Sequence, residues 1–168
     1  MLPASIRQPS FREHLRGSAR TLAFAVAALL SSVAMVVAQD KPEVVQNRQH
    51  MMSGLFADLG VVSAYVSGRV AQGRAQDAAD GLVRTWSTMP ELFPPGTSST
   101  DLPGKTKAKP QIWNNRDEFV AANKTAEQEA RKLADAVRSD DKAQAQILLG
   151  AISKDCNGAC HQAFREQN

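Results

Sequence analysis

Apolar residues recur at helical spacing through four stretches of this chain. That pattern bounds the possible folds more tightly than any other feature. The first stretch, from about Val44 to Ser67, places Val45, Arg48, Met52, Leu55, Leu59, Val62 and Val66 on one stripe. This is the spacing of a helix in an antiparallel bundle. Gly68 and Gly73 frame the break after it. The second, from about Ala75 to Met89, aligns Ala75, Ala79, Leu82, Trp86 and Met89. It ends at Met89-Pro90, because a proline disfavours helix in the residue before it. The third, from about Ile112 to Arg138, aligns Ile112, Phe119, Ala126, Ala130, Leu133 and Val137. Ser139-Asp140-Asp141 is a helix-start signal, and the fourth stretch then carries Ala143, Ile147, Leu148, Ala151 and Ile152. Strand-like alternation, internal repeats and low-complexity tracts are all missing from the sequence.

The pattern predicts an all-α protein: an antiparallel up-down-up-down four-helix bundle with a long loop between the second and third helices. That loop, Pro90 to Pro110, holds Pro90, Pro94, Pro95, Gly96, Pro103, Gly104 and Pro110. A loop of this length in a compact domain is functional or disordered. Leu92 and Phe93 tie its first part to the core, and Thr97 to Lys109 is expected to be mobile. Lys105, Lys107 and Lys109 give it a basic edge, read as solvated loop in preference to a partner-docking patch. Asn123-Lys124-Thr125 has the form of a glycosylation acceptor, but its place within a helix marks it as chance.

The chain of 168 residues divides into a leader and one domain. Residues 1–38 have a secretory signal's grammar: Arg7, Arg12, Arg16 and Arg20, then an apolar run from Leu22 to Ala38. Val36-Val37-Ala38 supplies the small residues of a cleavage point, so the cut is expected before Gln39. The alternative is an uncleaved anchor, since the run is at the lower edge of bilayer-spanning length. Of 20 Lys+Arg and 17 Asp+Glu, four arginines and Glu13 fall in the leader. The remaining domain, 39–168, is therefore charge-balanced. Nothing in it points to nucleic acid, or to membrane after signal cleavage.

Both cysteines stand near the end, in Cys156-Asn157-Gly158-Ala159-Cys160-His161. Two cysteines followed at once by a histidine is the grammar of covalent haem attachment: thiols add to the vinyl groups and the imidazole binds iron. The usual spacing is C-x-x-C-H, one residue shorter. Asn157-Gly158 is where a local bulge is expected to absorb the extra residue, because both tolerate unusual backbone angles. A single thioether with one free cysteine is the alternative. A disulfide would close a very small loop and stabilise little. A zinc site does not fit, because the spacing matches no common zinc pattern. Two buried thiols beside an incidental histidine is the remaining reading. Arg48, a charge on an apolar stripe, needs a partner or an anionic ligand. His50 lies about 160° round the helix from Met52 and is read as a surface residue.

Taken in order, Arg48-Gln49-His50-Met51-Met52, Phe93-Pro94-Pro95-Gly96-Thr97, Ala108-Lys109-Pro110-Gln111-Ile112-Trp113 and Cys160-His161-Gln162-Ala163-Phe164-Arg165 resemble the class II cytochromes c, the cytochrome c prime family. The resemblance covers essentially all of 39–168 and departs from the family at the three-residue gap between the cysteines. It implies one covalently attached haem c per chain. Cys156 and Cys160 would form the thioethers and His161 the axial ligand. Arg48 and Gln49 would contact the propionates or haem edge, and Thr97 the haem. Arg165 would lie on the proximal side. Met52 would face the distal side, as a sixth ligand or as a residue crowding a vacant site. The implied function is periplasmic electron transfer, binding of small gases (NO, CO), or both, without enzymatic turnover. The redox partner protein is left unnamed, and a homodimer through the first helices is implied. The rival readings are a haem enzyme such as a weak peroxidase, which would need His50 over the iron, and a non-haem exported helical bundle.

Overall fold

The structure is a computed structural model that describes residues 40–167. The leader expected at 1–38 lies outside the described residues. Four principal helices form among them: α1 (Lys41–Val66), α2 (Gln72–Thr88), α3 (Arg116–Arg138) and α4 (Lys142–Asp155). Residues 67–71 join α1 to α2 and residues 139–141 join α3 to α4, connections so short that each pair must run antiparallel. Residues 89–115 make the long connection. α1 packs against α2 and α4, and α3 packs against the same two. The result is the expected up-down-up-down bundle. None of the described helices is long and apolar enough to cross a membrane.

The chemistry of each terminus explains where the helices stop. α1 begins at Lys41, earlier than the stripe suggested, because Pro42 is tolerated in a first turn and Glu43 complements the helix dipole there. It ends where Gly68 takes φ +74°, a left-handed angle that glycine adopts without strain. Gly73 lies inside α2 and marks no break. Asp141 caps α4, its carboxylate accepting the Gln144 N–H at 2.9 Å. The third stretch is not continuous: Asn115, at φ −118° and ψ 51°, separates a turn at Gln111–Asn114 from α3.

The core follows the stripes, with one rotation. Leu55, Val62, Leu82, Leu133, Val137 and Ile152 are almost wholly buried. In α4, however, the buried face is Ala145, Leu148, Leu149 and Ile152, while Ile147 is 65% exposed and Ala143 faces solvent. Three consecutive apolar residues, 147–149, cannot share one face at 100° per residue. Packing against α3 and α1 selects the pair that continues the line through Ile152 to Cys156.

The connection from Thr97 to Lys109, expected to be mobile, is tied down. Thr97, Ser98, Thr106 and Ala108 are buried. The Ser99 N–H donates to Ala108 O at 2.7 Å, Lys109 N–H to Phe164 O at 2.9 Å, and Glu166 N–H to Lys107 O at 2.9 Å. Ala108 and Arg165 form a short antiparallel bridge. The loop's backbone groups find their partners in the loop itself and in the C-terminal tail, so burial leaves few of them orphaned. Asn123 is also buried, its amide donating to Trp86 O at 2.9 Å, which leaves no exposed acceptor for a glycan.

Candidate functional site

A cavity of about 820 Å³ opens at the end of the bundle where the long connection and the C-terminal tail meet α1. Its size is that of a small-molecule or cofactor site. Arg48, Gln49, Met52 and Phe56 of α1 line it, with Phe93 and residues 104–108 of the connection. Ile112 and Phe119 contribute to the floor, and Asn157, Cys160, His161, Phe164 and Arg165 close it from the C-terminal side. Residues more than a hundred positions apart thus share one wall. A second, more open depression of about 710 Å³ lies beyond Phe93, lined by Pro94, Pro95, Trp113 and Arg116; no cysteine or histidine reaches it.

Arg48 is the charged anchor of the cavity. It is 4% exposed. Its Nη1 donates to Thr97 Oγ1 at 3.2 Å, and its Nη2 to Thr97 O at 2.9 Å and to Thr106 Oγ1 at 2.7 Å. The guanidinium carbon stands 4.5 Å from the Phe93 ring centroid. Among the described residues no carboxylate pairs with it, and burial lowers its pKa to about 10. Arg48 therefore remains a cation at neutral pH with only neutral partners. A buried cation so placed on a cavity wall is a receptor for an anionic group.

The other expected residues divide by position. Gln49 sits at the rim, its amide donating to Lys105 O at 3.0 Å. Met52 is half-buried on the wall. Thr97 is fully buried behind Arg48 and lines no part of the cavity; its hydroxyl accepts from Arg48 and donates to Pro94 O at 2.8 Å. It positions the guanidinium. His50 is exposed and is not among the cavity-lining residues.

The cysteine motif occupies a π turn, Cys156–His161, that continues α4 directly. Both thiols are free. Cys156 is buried and is not among the residues that line the cavity; its thiol is pushed up to about 12 by burial and by the charges of Cys160, Asp155 and Glu129. Burial, then Asp155, raises Cys160. Burial and then the charge of Arg165 lower the pKa of His161, which favours the neutral imidazole that can act as a ligand.

An aromatic framework missed in the sequence carries the floor. Phe93 and Phe119 ring centroids are 4.9 Å apart, and Phe119 and Phe164 5.3 Å, both edge-to-face. The sequence shows these as isolated phenylalanines in a loop, a helix and a tail, with nothing to link them. Thr106 was missed for the same reason.

Comparison with known proteins bears on the family and the fold. The chain matches the cytochrome C′ family profile over residues 43–165. It is 31% identical to cytochrome c′ of Pararhodospirillum photometricum over 123 residues, which is 73% of this chain and 95% of that one. Among solved structures, cytochrome c′ from Rhodobacter Spheriodes superposes with a TM-score of 0.67 at 28% identity, covering 77% of this chain and all of that one. The crystal structure of cytochrome c′ from Rubrivivax gelatinosus gives 0.66 at 26% identity, covering 76% of this chain and 98% of that one.

Proposed function

The chain belongs to the cytochrome c′ family of monohaem c-type cytochromes, and we propose from that premise that its covalently attached haem c is held by Cys156, Cys160 and His161 in the cavity between α1 and the C-terminal tail. The reading rests on one observation. A single cavity of about 820 Å³ brings a buried cation with no carboxylate partner together with Cys160 and His161 from opposite ends of the chain, and Cys156 is buried one turn before Cys160.

Haem supplies the redox couple and an iron able to bind small neutral gases. The protein's residues supply the rest. His161 would bind the iron. Arg48, fixed by Thr97, Thr106 and Phe93, would bind a propionate. Gln49 would donate at the exposed edge. The edge-to-face phenylalanines would give the floor an apolar surface. Met52 supplies either a thioether ligand or an apolar surface that admits uncharged gases such as NO and CO. The function that follows is electron transfer, gas binding, or both, in the periplasm after removal of residues 1–38. A peroxidase reading is disfavoured by the placement of His50 away from the cavity. Pairing of copies through α1 is part of the same proposal.

The test is spectroscopic. Protein made in a cytochrome-maturing host should be red, and its haem should stay with the polypeptide through denaturing electrophoresis. Haem lost to acid-acetone extraction overturns the reading. Carbon monoxide added to the ferrous protein then assigns Met52. Rapid binding makes it a wall residue. A low-spin spectrum abolished in Met52→Ala makes it a ligand.

A further inference from the structure

The cysteine spacing is one residue too long for an ordinary helical turn of haem attachment, and the structure shows what becomes of that residue. Residues 156–161 do not bulge into a loop. They wind as a π turn, with right-handed angles at both flanks: φ −71° and ψ −38° at Asp155, φ −67° and ψ −42° at Gln162. Asn157 and Gly158 use no left-handed angle, so the special tolerance expected of them is not called on.

The winding has a geometric consequence. On an α-helix, at about 100° per residue, C-x-x-C-H places the second cysteine about 60° to one side of the first and the histidine about 40° to the other. The same helix with three intervening residues would put the second cysteine about 40° and the histidine about 140° round, which carries the imidazole away from the first thiol. A π turn bonds i to i+5 and takes one more residue per turn, about 80° each. Four and five steps then fall about 40° to either side of the start. That is close to the fan of the shorter motif.

We propose that this π turn is the device that lets Cys156 and Cys160 both form thioethers while His161 keeps its place on the cavity wall. The inserted residue is carried as extra winding and costs neither bond. Asn157 supports the turn, its side-chain amide donating to Ser153 O at 3.0 Å, one turn back. A Cβ at Gly158 would meet nothing within 4 Å, so the turn is not held by a steric need for glycine. The chemistry is an addition. Each thiol adds S–H across one vinyl double bond, sulfur to the carbon nearer the ring and hydrogen to the terminal carbon. Nothing leaves, and no oxidant or reductant is consumed.

The proposal rests on the reading that the chain is a c-type cytochrome, and the experiment separates the two. Wild type, Cys156→Ala, Cys160→Ala and a Gly158 deletion are produced in a cytochrome-maturing host. Each is unfolded in denaturant and treated with iodoacetamide, and its intact mass and pyridine haemochrome are recorded. The wild type should weigh the polypeptide plus one haem and take up no carbamidomethyl group. Cys156→Ala should keep its haem by one bond and show a red-shifted haemochrome. The deletion, restoring C-x-x-C-H, should likewise take up no carbamidomethyl group, weighing one glycine residue less than the wild type, and should share its haemochrome. A red wild type that takes up a carbamidomethyl group, or whose haemochrome coincides with that of Cys156→Ala, overturns the inference and leaves the cytochrome reading intact. A colourless wild type overturns both. Should the deletion fail to fold, alkylation of the wild type still decides.

Discussion

The two ends of the bundle solve opposite problems. At the end where α1 passes to α2 and α3 to α4, every device closes the structure. Tyr65, 1% exposed, donates its hydroxyl to Asp140 Oδ1 at 2.5 Å. Gln72 donates to the carbonyls of Val137 and Arg138 at 2.9 and 3.1 Å, bonding the end of α3 to the start of α2. Lys142 stands 5.0 Å from the centre of the Tyr65 ring. At the other end, a long connection and a tail are folded together around a cavity, and the buried polar group is a cation with no carboxylate beside it. The closed end holds the helices in register. Among the described residues no carboxylate pairs with Arg48 at the open end, which suits a site for an anionic cofactor group.

Substitutions should separate the ends. Leu133→Ala, in fully buried packing towards the closed end, should cost about 3 kcal/mol of unfolding free energy in apoprotein and holoprotein alike. Denaturant titration of both forms checks this, and a loss confined to the holoprotein would break the distinction. Arg48→Met should do the reverse. The apoprotein should stay within about 1 kcal/mol, because an apolar chain of similar length replaces a buried cation. The holoprotein should lose about 2 kcal/mol, the worth of a charge-assisted hydrogen bond. Equal losses in the two forms would mean that Arg48 serves only the loop.

Tyr65→Phe should cost about 1 kcal/mol and leave the haem spectrum unchanged. It also carries a pH signature. Burial, and then the bond to and charge of Asp140 and the charge of Asp141, raise the Tyr65 pKa from 10.0 to about 12. The folded state keeps a proton that the unfolded chain gives up from about pH 10. This contribution is therefore intact below about pH 10 and lost as pH rises towards about 12. Unfolding midpoints measured across that window should fall for the wild type and fall less for Tyr65→Phe. The smallest effect is expected for Gln72→Ala, a few tenths to about 1 kcal/mol, since its bonds lie at the partly exposed edge of the closed end.

The two ends also differ in how far they could be read from the chain. The closed end is local. Its helices follow from apolar periodicity, its turns from Gly68 and Asp141, and the stripe ending in Leu133 and Val137 is buried as the spacing implied. The exception is Ile147, where three adjacent apolar residues left the choice of face to the neighbouring helices. The cavity end is non-local. The cysteine motif and the inward Arg48 were legible because each is chemically odd where it stands. The partners of Arg48 were not, because Thr97 and Thr106 lie in a stretch whose composition alone suggested mobility.

What the sequence by itself determined is the set of elements and the reactive groups: four amphipathic helices, one long connection, two cysteines and a histidine at the end, and one charge on an apolar stripe. These are properties of spacing and side-chain chemistry, written within a few turns of chain. What only the tertiary structure decided is where those groups meet. The π turn depends on hydrogen bonds that residue identity does not specify. The binding state of Arg48 depends on a loop and a tail that reach it from opposite directions. Contacts between distant segments are fixed by the packing of the whole bundle, so they become visible only when the bundle is formed.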